Sequence, residues 1–154
     1  MARAGLTGRH ETDDPAATER LGARLAEELA PGDVVLVSGD LGAGKTTFVR
    51  GACRALGVQG PVTSPTFTLA ARHDDGRVPI SHLDLYRLAA LDDEDLAQLD
   101  DELGPDRIAF VEWPEHGAAT LARATRRVAI EHGGGDRRRI AIEAPAGAEG
   151  EGGL

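Results

Sequence analysis

One residue type is absent from this chain of 154 residues and two others occur only once, and these shortages narrow the chemistry open to it. It contains no asparagine, a single cysteine, Cys53, and a single lysine, Lys45, beside sixteen arginines. One cysteine excludes an internal disulfide and a cysteine-based metal cluster, so we expect Cys53 to be a small buried helix residue. Because the composition has nearly eliminated lysine, the one that remains invites a chemical explanation.

Long apolar runs are absent as well. No stretch approaches the roughly 18 to 20 apolar residues that a membrane span needs, and residues 1–10 lack the apolar core of a signal peptide. We therefore expect a cytoplasmic protein with no membrane partner. The formal net charge of −9 argues against a stand-alone binder of DNA or RNA, because affinity for the phosphate backbone comes largely from Lys and Arg. Any role with RNA is expected to pass through partner proteins.

The first half of the chain alternates between helix and strand. Residues 14–30 are predicted to form a helix, with Asp14 as its cap and Pro15 in its first turn. Residues 33–38, DVVLVS, form an apolar and β-branched run of the kind that is buried on both faces in parallel sheets. A glycine-rich turn follows, and then a second predicted helix over residues 45–56. The glycine-rich turn is therefore predicted to be a loop that joins a strand to a helix.

The second half contains two predicted hairpins. Alternating apolar residues over residues 67–80 indicate the first, with Pro79 favouring an edge position. Residues 127–131 and 139–143 alternate around three consecutive glycines and indicate the second.

Between the two hairpins the pattern predicts an acidic helix and a buried strand. The helix covers residues 92–103, with Leu96, Leu99 and Leu103 as its apolar stripe. The strand covers residues 107–112, RIAFVE, and ends in a carboxylate.

A phosphate-binding motif lies between the first predicted strand and the second helix. Residues 39–46, GDLGAGKT, match the pattern G-x-x-x-x-G-K-[ST] in full and in the expected structural context. Glycines there let backbone N–H groups surround phosphate oxygens, and the helix N-terminus adds the positive end of its dipole. The predicted nucleotide-binding residues of this loop are Gly39, Asp40, Leu41, Gly42, Ala43, Gly44, Lys45, Thr46 and Thr47.

The motif explains why one lysine remains. Lys45 is expected to reach the β- and γ-phosphates, and the hydroxyl of Thr46 to ligate Mg²⁺. A lysine is a compact charge on a flexible stem, which the planar guanidinium of arginine does not replace. GTPases of this loop class recognise guanine through an Asn-Lys-x-Asp motif, and this chain has no Asn and no second Lys. The expected nucleotide is therefore ATP, with ADP as its product.

These elements predict an α/β fold: a P-loop NTPase-like three-layer sandwich with a mostly parallel core sheet extended by antiparallel hairpins. We expect residues 14–143 to form a single P-loop ATPase domain, preceded by an N-terminal segment of residues 1–13. Residues 144–154 have nothing to bury and are expected to be a disordered, acidic, glycine-rich tail.

Two carboxylates could complete a Mg²⁺ site. Glu112 follows a buried strand, at the edge where ligands of open α/β sheets bind, which makes it the better candidate for Mg²⁺ or its water. Asp84 is the other candidate, although it could instead be a helix-cap or turn acid. The sequence leaves open which of the two lies nearer the metal. His82 could be a metal ligand, but one histidine without a cysteine or second histidine nearby is a weak signal.

Four motifs identify a family. They are residues 39–47, GDLGAGKTT; residues 64–67, SPTF; residues 82–88, HLDLYRL; and residues 111–115, VEWPE. In this order and spacing they resemble the bacterial TsaE family, the small P-loop ATPases of tRNA threonylcarbamoyladenosine (t6A) synthesis. The resemblance covers about residues 15–142.

The resemblance implies an ATPase that acts with the TsaD and TsaB proteins, which modify adenosine 37 of tRNA. This chain would not transfer the carbamoyl group itself, and it would meet tRNA only through the complex. The implied catalytic residues are Lys45, Asp84 and Glu112, and the implied metal ligands are Thr46, Glu112 and Asp84. A switch-like loop would consist of Ser64, Pro65, Thr66 and Phe67. Further nucleotide contacts would come from Trp113, Pro15, Asp136 and Arg137.

Two other functions remain open. A P-loop kinase would need a mobile arginine lid, for which Arg72, Arg77 and Arg87 are available, and an acceptor pocket, for which the chain has little room. A nucleotide-dependent docking module without turnover would use the same residues as the ATPase. Hydrolysis measured with and without TsaB and TsaD separates the three.

Overall fold

The computed structural model describes residues 5–40, 44–65, 70–85, 92–113 and 123–144. These residues form seven strands and three helices in mixed order. In chain order they are β1 (Gly8–Thr12), α1 (Pro15–Ala26), β2 (Val34–Gly39), α2 (Lys45–Ala55), β3 (Ala70–His73), β4 (Ile80–Asp84), α3 (Asp93–Glu102), β5 (Ile108–Glu112), β6 (Arg126–Gly134) and β7 (Arg137–Glu143).

The strands form one sheet in the order β1-β7-β6-β2-β5-β4-β3. Its centre is parallel, because β2 pairs in parallel with β5 and β6, and β5 pairs in parallel with β4. The β6–β7 and β3–β4 hairpins extend the centre on either side with antiparallel pairs. This confirms the predicted α/β sheet and both predicted hairpins.

Helices cover both faces of the sheet. Helices α1 and α2 pack on one face, where Val35 and Val37 of β2 join their core. Leu99 and Leu103 pack on the other face, against a core that includes Val34 and Leu36. Successive residues of β2 therefore face opposite helix layers. Because both faces of the strand are buried, its sequence is an apolar run rather than an alternation of apolar and polar residues. The three-layer arrangement is confirmed.

Helix α3 packs on the sheet only through its second half. Leu99 is fully buried, whereas Leu96 is 42% exposed and belongs to neither core. The prediction of a three-leucine buried stripe was therefore wrong at Leu96. Asp92 caps the helix, accepting the amide of Asp95 at 2.8 Å, so local hydrogen bonds rather than burial hold its first turn.

Helix α1 ends earlier than its sequence pattern predicts. Asp14 caps it as expected, accepting the amide of Ala17 at 2.8 Å, but the helix stops at Ala26 instead of continuing to residue 30. After Ala26 the amides of Glu28 and Leu29 bond carbonyls three residues back, and the carboxylate of Asp33 then accepts the amide of Ala30 at 2.8 Å and closes a turn before β2.

Strand β1 was not predicted, because the segment GRHET has no apolar alternation. It pairs antiparallel with β7, from Gly8 opposite Ile142 to Thr12 opposite Arg138. Its inner end is held by a buried hydrogen bond of 2.7 Å between the hydroxyls of Thr12 and Thr18. Part of the predicted N-terminal segment thus belongs to the sheet.

The first hairpin lies in the sheet differently from the prediction. Pro79 favoured an edge position, but β4 lies between β3 and β5, and β3 is the edge strand. Pro79 is tolerated because it precedes the first strand residue, where no ladder amide is needed, and its carbonyl accepts the amide of Ile108 at 3.0 Å.

Two glycines let α1 and α2 touch backbone to backbone. A Cβ on Gly22 would lie 2.2 Å from the carbonyl oxygen of Phe48, and a Cβ on Gly51 would lie 2.0 Å from that of Glu19. Between these helices Cys53 is buried as predicted, and burial raises the pKa of its thiol to about 12. No helix of the described ranges is both long and apolar enough to cross a lipid bilayer.

Candidate nucleotide-binding site

The phosphate-loop motif joins the end of β2 to the start of α2. Gly44 is the N-cap of α2 and has a φ of 103°, a left-handed conformation that favours glycine. A glycine offers no side-chain cap, so the amides of the first helical turn remain available to an external acceptor. Leu41, Gly42 and Ala43 of the predicted binding loop lie outside the described residues.

Lys45 is held at the mouth of this loop. It is 5% exposed, and its ammonium donates to the carbonyl oxygens of Gly39 at 2.7 Å and Asp40 at 2.9 Å. The same ammonium lies 4.2 Å from the ring centroid of Trp113, within the range of a cation–π contact. Its positive charge is thus fixed beside the loop rather than extended into solvent.

Trp113 owes its place to an unusual backbone conformation. It follows the last residue of β5 and has a φ of 58°, which is uncommon for a residue other than glycine. The turn brings the indole over Lys45 while part of the ring still packs on the second core. Trp113 thus packs at the end of a strand and also lies next to the lysine of the phosphate loop.

Glu112 receives side-chain donors from three elements. It is 2% exposed, and its Oε2 accepts the hydroxyl of Thr46 at 3.0 Å, the hydroxyl of Ser64 at 3.3 Å and Nε2 of His82 at 2.5 Å. The Thr46 and Ser64 hydroxyls are themselves 2.6 Å apart. The structure therefore brings together the loop threonine, the carboxylate after β5 and the first residue of the predicted switch-like loop.

Asp84 lies beside Glu112. It is the last residue of β4, and the parallel register pairs it directly with Glu112. This register places two carboxylate-bearing residues next to each other on adjacent strands. Two carboxylates at adjacent strand ends, next to a loop hydroxyl, form the edge of the sheet where open α/β folds bind ligands.

The donor set suits Mg²⁺. Thr46, Asp84 and Glu112 supply only oxygen atoms, which this hard cation prefers. The described part of the chain contains no group of three His, Cys, Asp or Glu side chains able to hold a metal by itself. Mg²⁺ normally takes one or two carboxylates together with substrate phosphates, so a complete protein cage is not required.

His82 is the residue that the sequence analysis missed. It was weighed only as a weak metal ligand, but in the structure it is fully buried and bonded to Glu112. The available signal was its spacing, since residues two apart in a strand share a face and His82 stands two before Asp84.

A small cleft lies on the other side of the loop. It is lined by Pro15, Thr18, Gly44, Thr47, Asp136 and Arg138. The predicted contacts Pro15 and Asp136 are thus next to the phosphate loop, whereas Arg137 is directed at Asp13, 3.9 Å away, with a 74% exposed side chain. Neighbouring strand residues face opposite sides, so the cleft takes Arg138 in place of the predicted Arg137.

The remaining predicted residues are only partly described. Ser64 and Pro65 of the switch-like loop are placed, but Thr66 and Phe67 lie outside the described residues, as does the tail from residue 145. Of the arginines considered for a kinase lid, Arg72 is bonded to Glu102 at 3.0 Å and Arg77 donates to the carbonyl of Ala55. Arg87 is outside the described residues.

Comparison with known proteins gives a consistent family. The sequence profile described as "Threonylcarbamoyl adenosine biosynthesis protein TsaE" matches residues 12–140. A Mycobacterium bovis protein named tRNA threonylcarbamoyladenosine biosynthesis protein TsaE is 43% identical over 141 residues, which cover 84% of this chain and 83% of that protein. A Synechocystis protein of the same name is 46% identical over 102 residues, or 64% of this chain and 65% of that protein.

A solved structure agrees in fold. The crystal structure of Bacillus subtilis YdiB superposes with a TM-score of 0.72 at 29% sequence identity, covering 96% of this chain and 93% of that one. On these grounds the chain belongs to the TsaE family.

Proposed function

We propose that this chain binds and hydrolyses ATP as a component of the bacterial machinery that makes t6A at adenosine 37 of tRNA, acting with TsaD and TsaB. The observation that carries the proposal is the 3.0 Å contact between Thr46 of the phosphate loop and Glu112 after β5. It joins the two groups that P-loop ATPases use for the metal of a nucleotide. A role in tRNA modification would place the protein in the cytoplasm.

Each residue of the site has a role in this proposal. The amides of the loop and the ammonium of Lys45 would bind the phosphate oxygens, and Thr46, Glu112 and Asp84 would hold Mg²⁺ directly or through water. When bound, Mg²⁺ would neutralise charge that builds up on the phosphates during transfer. Whichever of Asp84 and Glu112 meets the metal only through water would orient the attacking water and accept its proton.

The small cleft beside the loop cannot enclose a nucleoside, but it marks the side of the loop on which we expect the nucleoside to lie. Pro15, Thr18 and Asp136 combine an apolar ring with polar side chains, and Arg138 adds a positive charge. No guanine-specific motif is available, because the chain lacks asparagine. We therefore expect ATP to bind more tightly than GTP in competition titrations.

The test of hydrolysis is Glu112→Gln. The isostere keeps the shape of the side chain but removes its charge, so Mg²⁺-dependent turnover should fall while nucleotide binding remains. The matched control is Glu102→Gln, which alters another buried glutamate, bonded to Ser81 and Arg72 away from the loop. A Glu112→Gln protein that hydrolyses ATP at the wild-type rate, measured with TsaB and TsaD present, would contradict the proposal.

The test of partnership uses the switch-like loop. Ser64 is hydrogen-bonded to both Thr46 and Glu112. A nucleotide that engages either of these residues would therefore change the contacts of Ser64, the first residue of the switch-like loop of residues 64–67. We expect association with TsaB and TsaD to depend on nucleotide state and to be altered by Thr66→Ala. Pull-downs with ATP, with ADP and without nucleotide measure this. Identical yields in every condition and with the variant would show that the loop is no switch.

One alternative function is distinguished from the proposed one only by its lack of ATP turnover. A nucleotide-dependent docking module would show the same binding and pull-down behaviour but no turnover with its partners. A kinase is disfavoured by the contacts of Arg72 and Arg77, which tie two of the three available arginines to Glu102 at the end of α3 and to the far end of α2. With a net charge of −9 the isolated chain should bind tRNA weakly and with steep salt dependence.

A further inference from the structure

His82 has no role in the site as proposed so far. It lies in the middle of β4, is fully buried, and its Nε2 is 2.5 Å from Oε2 of Glu112. A buried histidine that contacts a candidate metal-binding carboxylate could be mere packing, or it could control how that carboxylate is oriented.

The chemistry of the pair fixes the hydrogen on one ring nitrogen. An ionised carboxylate only accepts hydrogen bonds, so Nε2 of His82 must carry the hydrogen and donate it to Glu112. The other nitrogen, Nδ1, is buried and has no hydrogen-bond partner among the described residues. Glu112 is therefore the one polar group in the described ranges that orients this ring.

The donors on Glu112 are not equivalent. Thr46 and Ser64 contribute hydroxyls that rotate freely, and the proposed function assigns them to the metal and to the switch-like loop. His82 is instead a rigid ring on an inner strand of the sheet. All three converge on Oε2, whereas Oε1 has a single contact within the described ranges, the hydroxyl of Ser64 at a long 3.5 Å. Of the three, His82 is thus the donor to Glu112 that the proposed function does not assign to another role.

We infer that His82 is a positioning residue for Glu112: its Nε2–H anchors Oε2 and so holds the carboxylate beside Thr46, in the orientation in which it would meet the metal or its water. The inference rests on the proposed function for its consequence in catalysis, but the hydrogen bond itself can be tested without any activity. His82 acts through Glu112 and does not contact the nucleotide.

Two amide substitutions discriminate positioning from packing. The side-chain nitrogen of glutamine lies three bonds beyond Cβ, as Nε2 of histidine does, whereas that of asparagine lies two bonds beyond Cβ, as Nδ1 does. His82→Gln can therefore still donate to Glu112, and His82→Asn cannot reach it. Asparagine, glutamine and alanine variants all remove the ring, so a packing role predicts similar losses in all three.

The kinetic arm compares these variants with TsaB and TsaD present. We expect His82→Ala and His82→Asn to lower kcat by about tenfold or more, the loss of a charge-assisted hydrogen bond, with the KM for ATP little changed. His82→Gln should recover most of the rate. His73→Gln is the control, because its ring lies 6.5 Å from that of His82 and does not touch Glu112. Wild-type rates in all variants, or equal losses in the Gln and Asn variants, would overturn the inference.

The second arm observes the hydrogen bond by NMR of the histidine rings in the wild-type protein. We expect His82 as the Nε2–H tautomer, with a ring proton that exchanges slowly and that is lost or shifted in Glu112→Ala but not in Glu102→Gln. An Nδ1–H tautomer would overturn the inference. If the wild-type protein does not hydrolyse ATP with its partners, the proposed function fails, and this arm still decides whether His82 holds Glu112.

Discussion

At the scale of single residues, the side chains of the site have contacts that ordinary surface residues lack. Lys45 is buried against two loop carbonyls and an indole ring, although lysine is seldom buried unless it is paired. The loop thus holds its positive charge ready for an anion. In a chain that otherwise uses arginine throughout, this requirement for a flexible point charge explains the single lysine.

Replacing Lys45 should abolish or strongly weaken nucleotide binding. Loss of one charge-assisted contact to phosphate costs about 1.5 to 3 kcal/mol, so Lys45→Ala should lower the affinity for Mg-ATP at least about tenfold. Calorimetry measures the change, and the chain's single tryptophan, 4.2 Å from Lys45, gives a second signal by fluorescence. Arg127→Ala, an exposed loss of the same charge, is the control. An unchanged dissociation constant for Lys45→Ala would refute the assignment.

At the scale of elements, the position of the site depends on how α2 lies on α1. The loop can present its first-turn amides only if α2 is held at the correct distance from the sheet and from α1. Close contact at Gly22 and Gly51 sets that distance, since the backbones meet with no room for a side chain. Two glycines inside helices, each unfavourable by about 1 kcal/mol relative to alanine, are explained by this packing.

Gly51→Ala should therefore destabilise the protein, although alanine is the better helix former. Its Cβ would lie 2.0 Å from the carbonyl oxygen of Glu19, and forcing the helices apart should cost about 1 to 3 kcal/mol. Chemical unfolding measures the change. Gly60→Ala is the matched control, because its Cβ would meet only Asp75, at 3.9 Å. Equal stability of the two variants would show that the helix contact can open at no cost.

At the scale of the whole molecule, the parallel centre of the sheet assembles the site from distant parts of the sequence. Strands β2, β4 and β5 run in the same direction, so the loop lysine, Asp84 and Glu112 arrive at one edge. His73, the last residue of β3, lies next to His82, with the two ring centroids 6.5 Å apart. Its Nε2 is buried without a partner in the described ranges, and burial first, then the nearby His82, lowers its pKa.

The free energy of unfolding should accordingly fall as the pH drops below 6.5. The unfolded chain protonates His73 near its ordinary pKa of about 6.5, whereas the folded chain resists protonation until lower pH, so acid favours the unfolded state. Urea unfolding at pH 7.5 and 5.5 should show a smaller loss in His73→Gln than in the wild type. Asp75 does not contribute in this range, because the Gln59 amide holds its pKa below the ordinary value. Identical losses in both proteins would exclude His73 as a cause.

Local patterns sufficed for much of this protein. Residues 39–46 carry the phosphate loop in their own spacing, the runs 33–38 and 107–112 are apolar because both faces of those strands are covered, and Asp14 and Asp92 cap their helices through bonds to amides three residues away. Each of these features depends on residues close together in the chain, or on burial that leaves its mark on composition.

Only the tertiary structure decided the features that join distant segments. The hydrogen bond between His82 and Glu112 joins residues 30 apart in the sequence. The edge strand β1 depends on pairing with β7, which lies more than 120 residues further along the chain. Whether Arg137 or Arg138 faces the loop depends on the register of a strand, and one step of register reverses the face of every side chain. A sequence pattern indicates which residues are buried or cap a helix, but not which distant residue each of them contacts. The candidate site of this protein consists of contacts between residues that are distant in the sequence.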